Sequence, residues 1–145
     1  MIYADNAATT ELSRTALDAM MPYLTDLYGN PSSVHRAGQA AARALTRARE
    51  TVARCIGCSP KEIYFTSGGS ESDTQAILSA AETGEKQGKR QIISTAFEHH
   101  AVLHTLEKLK ARGFEILLLP VGERGTVTAE QVEDAVTGRT CLVSV

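Results

Sequence analysis

At 145 residues, 43% hydrophobic and 22% charged, the chain suits one globular domain or one part of a larger one, with a sizeable core. Its 15 Lys and Arg stand against 17 Asp and Glu, a net charge of −2 with a pI near 6.1. That balance excludes a global field for nucleic acid or an anionic membrane and leaves a small molecule as the default ligand. The N-terminus has neither the basic flank nor the apolar core of a signal peptide, and no run approaches the roughly 18 apolar residues of a membrane span. Three cysteines, an odd number without framework spacing, agree with a cytoplasmic protein.

In chain order, Ile2 to Ala4 reads as a short extended piece and Asp5-Asn6-Ala7-Ala8-Thr9-Thr10 as a loop. A helix is expected from Ser13, with Ala16, Leu17, Met20, Tyr23, Leu24 and Leu27 at helical spacing, stopping before Gly29-Asn30-Pro31-Ser32-Ser33. A second helix runs from about Val34 to Ile56, its stripe of Ala37, Ala41, Ala44, Ala48 and Val52 ending at Gly57. From Glu62 the grammar alternates. Strands are predicted near 62–66, 91–95, 114–119 and 140–145, with helices near 70–87, 99–112 and 128–137. Alternation of this kind means an α/β fold with a mainly parallel sheet and helices on both faces. Ile116-Leu117-Leu118-Leu119 and Cys141-Leu142-Val143 are apolar without interruption, as strands covered on both faces are. The chain reaches Val145 inside such a strand, so it is expected to be the N-terminal piece of a longer polypeptide or to be completed by another chain.

The segment Phe65-Thr66-Ser67-Gly68-Gly69-Ser70-Glu71-Ser72-Asp73 carries the clearest chemistry. An apolar run that turns through two glycines into a helix makes an anion site, because the first-turn N–H groups have no partners within the helix and glycine lets a ligand approach the backbone. Phosphate is the natural guest. The plainer reading is a tight turn capped by Ser70, with Glu71 and Asp73 favourable near the helix N-terminus. The final serine of Gly68-Gly69-Ser70-Glu71-Ser72 breaks the Gly-x-Ser-x-Gly nucleophile elbow, and the Walker and Rossmann patterns are absent. A second polar cluster, Phe97-Glu98-His99-His100, falls where another strand should end, which suggests one shared pocket.

Other constellations have blander explanations. His100 and His104 have metal-chelating spacing on a helix, but no Cys or further carboxylate is placed to finish a site, so no metal is expected. Cys55-Ile56-Gly57-Cys58 has redox spacing at the wrong end of a helix for a lowered thiol pKa and reads as free structural thiols. Arg36, Arg43, Arg47 and Arg54 share a helical face, which in an acidic protein is a solvated face.

Four segments together carry a resemblance. Tyr3-Ala4-Asp5-Asn6-Ala7-Ala8-Thr9-Thr10, Gly29-Asn30-Pro31-Ser32-Ser33-x-His35, Phe65 to Asp73, and Glu98-His99-x-Ala101-Val102 stand in the order and spacing of cysteine desulfurases. The match covers essentially the whole chain and resembles the NifS/IscS type, in the class V aminotransferase group of fold-type I enzymes that use pyridoxal 5'-phosphate. The resemblance implies that residues 1–33 form an N-terminal loop and helix segment and 34–145 part of the cofactor-binding large domain. It implies that Gly69 and Ser70 hold the cofactor phosphate and that His99 stacks on the pyridine ring and assists proton transfer. The family more often has Thr where Ser70 stands. The loops of Asn6, Ala7 and Thr9 and of Asn30 correspond to segments on the substrate side.

The implied reaction takes sulfur from L-cysteine, leaving L-alanine and an enzyme persulfide, for iron-sulfur cluster assembly or tRNA thiolation. The implied partners are a sulfur acceptor or iron-sulfur scaffold protein and a second subunit in a homodimer. The family's cofactor-binding lysine, its aspartate at the pyridine nitrogen and its sulfur-accepting cysteine have no match among these residues, and Cys55, Cys58 and Cys141 stand elsewhere. The chain alone is therefore expected to be inactive. A non-catalytic module that binds the cofactor or a scaffold, a selenocysteine lyase and an aminotransferase of the same group are the other readings.

Overall fold

The computed structural model describes residues 2–145. The elements are α1 (Arg14–Thr25), α2 (Arg36–Ile56), a 3-10 turn at Pro60–Glu62, α3 (Gly69–Lys86), β1 (Gln91–Thr95), α4 (His100–Ala111), β2 (Glu115–Leu119), α5 (Ala129–Ala135) and β3 (Thr140–Val143). The chain forms two compact units, one ending at Tyr64 and the other spanning Phe65–Val145.

In the first unit Ser13 caps α1 by accepting from the Ala16 N–H at 3.2 Å. His35 caps α2 through Nδ1, which accepts from the Gly38 N–H at 3.3 Å. Helix α2 stops at Gly57, whose φ of 73° is left-handed and suits glycine. Only Gly38 and Ala53 of α2 are buried, and Ala41, Ala44, Ala48 and Val52 of the expected stripe instead line an open groove with Tyr23 of α1 and Leu27 just beyond it. Gly38 is there for space: a Cβ would lie 2.3 Å from the Ser33 carbonyl oxygen and 2.6 Å from that of Asn30. The 29–33 loop therefore rests directly on the start of α2. Residues 63–66 form no strand among the described residues, which corrects the strand expected at 62–66. An apolar run becomes a strand only where a partner takes its backbone groups.

The second unit holds a parallel three-stranded sheet in the order β2-β1-β3. The predicted strands and helices from residue 69 onward stand within a few residues of their expected places. All five residues of β1 are buried because it is the central strand. Ile92, with its register partners Ile116 and Leu142, faces Ile77 and Ala81 of α3 and Val102, Leu106 and Leu109 of α4. Fully burying such a side chain contributes about 1.5–3 kcal/mol. With the right-handed crossovers usual in parallel sheets, the oppositely directed β1-α4-β2 and β2-α5-β3 connections place α4 and α5 on opposite faces. Strand β2, expected to be covered on both faces, is an edge strand here, with Leu117 and Leu118 exposed at 36% and 45%. The buried Ser94 Oγ and Thr95 Oγ1 have no hydrogen-bond partner among the described residues.

Helix α3 meets β3 at Gly84. A Cβ there would lie 2.3 Å from Cys141 Cβ and 2.9 Å from its Sγ. Cys141 cannot swing away freely, since its thiol donates to the Gln91 carbonyl at 3.3 Å. Gly84→Ala is therefore expected to cost about 1–3 kcal/mol through overpacking, despite alanine's better helix propensity. Urea unfolding checks this. Unchanged or raised stability would mean that the α3–β3 contact yields easily.

Candidate functional site

Parallel strands alternate with helices that run back along the sheet, so the N-termini of α3 and α4 both sit at the carboxyl edge of the strands. That edge is where open α/β sheets bind ligands. One turn into each helix, Thr105 Oγ1 reaches Thr74 Oγ1 at 3.4 Å. A cavity of about 280 Å³ at the same edge is lined by Asp73 and Ile77 of α3, Val102 of α4 and Leu142 to Val145 at the end of β3. Gly69 and Ser70, which open α3, and His99, which caps α4, are thus brought to one edge of one unit.

The start of α3 is built as a donor cradle. Its N-cap is Gly68, with no side-chain cap bond, so the expectation of Ser70 as the cap is corrected. Ser70 stands one residue inside the helix, where its hydroxyl has no partner among the described residues. The Gly69, Ser70 and Glu71 N–H groups likewise find no acceptor, as befits a first turn. Cβ atoms built on Gly68 and Gly69 meet nothing within 4 Å, so a ligand can approach the backbone closely. A groove of about 600 Å³ begins at Ser67, Ser70 and Glu71 and follows α3 past Thr74.

The loop ahead of this cradle is tied down by side chains. Glu71 accepts from the Ser67 N–H at 2.7 Å and from the Ser67 hydroxyl at 2.6 Å. Thr66 Oγ1 donates to the Gly68 carbonyl at 3.1 Å and lies 2.6 Å from Ser72 Oγ. The Ser67 hydroxyl, and then its N–H, hold the Glu71 carboxyl below its ordinary value of 4.5. A lowered carboxyl stabilises the turn fully above that value and loses its contribution as pH falls through the shifted pKa. The Ser67 amide resonance should accordingly titrate with a midpoint below 4.5. A midpoint above it would contradict the two bonds.

His99 is held just as specifically. Its Nδ1 accepts from the Ala101 N–H at 3.1 Å, capping α4. In the neutral ring that assigns the proton to Nε2, since Nδ1 spends its lone pair on the cap. The side chain is exposed. His100 and His104 are also exposed and their rings stack with centroids 5.5 Å apart. Among the described residues no group of three or more His, Cys, Asp or Glu is arranged to hold a metal.

The remaining predicted residues lie in the first unit. Asn6, Ala7 and Thr9 belong to a turn in which the Ala8 and Thr9 N–H groups donate to the Asp5 carbonyl, and Thr9 Oγ1 lies 2.6 Å from the Tyr3 hydroxyl. Asn30 accepts from the Ser32 N–H through Oδ1 at 2.9 Å, a side-chain turn that shapes its own loop. Two residues escaped assignment from sequence: Glu71, whose spacing from Ser67 is a side-chain-to-backbone signature, and His35, a helix cap. The cysteines remain free, with Cys55 exposed. Burial pushes the Cys141 thiol pKa up, the opposite of what a nucleophilic thiolate needs. Arg36, Arg43, Arg47 and Arg54 are exposed, and no helix among the described residues is long and apolar enough to cross a membrane.

Residues 2–145 match the aminotransferase class-V family, and the chain belongs to it. It is 42% identical to the cysteine desulfurase IscS of Methanosarcina thermophila over 144 residues, covering 99% of this chain and 35% of that protein. A NifS-like protein of known structure superposes with a TM-score of 0.89 at 43% identity, over 96% of this chain and 38% of the other. SspA, solved in complex with cysteine, gives 0.88 at 37% identity, over 97% and 40%. The chain spans little more than a third of the length of the curated relatives it matches.

Proposed function

We propose that this chain is part of a pyridoxal-phosphate-dependent cysteine desulfurase that converts L-cysteine to L-alanine and passes the sulfur, as a persulfide, to an acceptor thiol. The observation that carries the reading is the set of unpartnered donors at Gly69, Ser70 and Glu71, at the same sheet edge as His99, in a member of this family. Those donors fit a phosphate: several N–H groups and one hydroxyl converge on the positive end of a helix, with open space above the glycine.

When bound, the pyridoxal ring supplies the electron sink that lets the carbon–sulfur bond of cysteine break. The protein's share is orientation and proton handling. Gly69 and Ser70 hold the phosphate through their N–H groups, and Ser70 adds its hydroxyl. His99 covers the ring and handles a proton at Nε2, while its bond to the Ala101 N–H fixes the plane of the imidazole. By the family resemblance, Asn6, Ala7, Thr9 and Asn30 belong to loops that would serve substrate binding. Residues 1–33 serve as an N-terminal segment and 34–145 as part of the large cofactor-binding domain. The whole enzyme is a cytoplasmic homodimer that hands sulfur to an acceptor or iron-sulfur scaffold protein.

None of Lys61, Lys86, Lys89, Lys108 and Lys110 stands in the Ser-x-His-Lys context of the family's cofactor-binding lysine. The 145-residue chain by itself is therefore expected to bind pyridoxal phosphate only through its phosphate and to release no sulfide from cysteine. Absorbance spectra and a sulfide assay test this. Turnover by the isolated chain would show that one of these lysines, or no lysine, serves the reaction.

A further inference from the structure

We infer that Glu71 is a positioning residue for the phosphate cradle: its carboxylate braces Ser67 so that the N–H groups of Gly69 and Ser70 are presented outward in advance of binding. The inference rests on the proposed cofactor reading of the same turn. Two short bonds carry it, from the Ser67 N–H at 2.7 Å and the Ser67 hydroxyl at 2.6 Å. Together they occupy both Ser67 donors and close the loop from Ser67 to Glu71. On the other side Thr66 Oγ1 ties the Gly68 carbonyl and meets Ser72 Oγ. Gly68 and Gly69 have no side chains to restrict their rotation and no Cβ contacts to stop them. Side-chain ties at Ser67 and Thr66 thus join the Ser72 N–H bond to the Gly68 carbonyl in keeping this backbone in one conformation, and a donor array that is already ordered binds without an ordering cost.

Electrostatics alone predicts the reverse of this role, which makes it testable. A carboxylate beside a phosphate repels it, so deleting the charge should tighten anion binding if the brace is unimportant. If the brace matters, deletion weakens binding. Both bonds end on the one oxygen Oε2, so a glutamine at 71 that places its carbonyl oxygen there accepts from both donors and keeps the brace without the charge.

The test titrates inorganic phosphate and pyridoxal phosphate into the full chain, following the amide resonances of Ser67 to Ser72, for wild type, Glu71→Ala, Glu71→Gln and Ser67→Ala. Glu71→Ala is expected to weaken both ligands about three- to tenfold, the effect of one or two lost hydrogen bonds. Ser67→Ala, which removes only the hydroxyl bond, should fall between, and Glu71→Gln should bind at least as well as wild type. Accelerated exchange of the Ser67 amide in Glu71→Ala supplies a readout independent of ligand. Tighter binding by Glu71→Ala, or equal binding by all four proteins, overturns the brace. Wild-type titrations that leave the Gly69 and Ser70 amides unmoved overturn instead the phosphate reading on which it rests.

Discussion

In the holoenzyme, His99→Ala is expected to slow turnover of L-cysteine by about 10²–10⁴-fold, the usual worth of a positioned proton-transfer group. Cofactor retention should fall much less, because the ring is one contact among several while the phosphate keeps its donors. Alanine also deletes a helix cap. The Ala101 N–H loses the Nδ1 acceptor that it meets at 3.1 Å. Loss of an N-cap costs about 0.5–2 kcal/mol, so the same variant should melt earlier. His99→Asn separates the two effects, since asparagine is a strong N-cap but cannot move a proton as imidazole does. It should restore the melting temperature and leave turnover low. Comparing kcat, bound cofactor and melting temperature across the three proteins decides the matter. Recovery of turnover with asparagine would reduce His99 to a structural cap.

Ser70→Ala is expected to weaken pyridoxal phosphate by about ten- to a hundredfold, the range for one hydrogen bond to a charged group at about 1.5–3 kcal/mol. Ser70→Thr should bind nearly as well as wild type because the hydroxyl survives. Gly69→Val attacks the other requirement, close approach of the backbone. The position has open space around a built Cβ, so valine should leave the fold and its circular dichroism unchanged while crowding the ligand. The control is pyridoxal without phosphate. Equilibrium dialysis should show both variants discriminating less between the two compounds than wild type does. An equal loss for pyridoxal and its phosphate would place these residues somewhere other than the phosphate.

Local signals were legible in the sequence, and they carried most of the second unit. Strand β1 and the helices on either side of it follow from an apolar run between two helical periodicities, and Ser13 and Gly57 mark helix ends by chemistry that needs no distant partner. His99 could likewise be placed at a strand end, because alternating strands and helices leave few topologies open, whereas the strand expected ahead of the glycine turn did not form. By itself the sequence determined an α/β unit with a glycine turn opening one helix and a histidine at the start of the next. Tertiary structure alone decided the rest. Ile92-Ile93 and Ile116 to Leu119 look alike as apolar runs, yet only the first became the buried centre of the sheet, since strand order depends on pairings between residues far apart in the chain. Residues 63–66 carried the same apolar signal and form no strand among the described residues. The Glu71 brace and the Nδ1 cap of His99 were equally invisible, because each depends on which rotamer reaches which backbone N–H, and that is set only once the helix ends have their three-dimensional form.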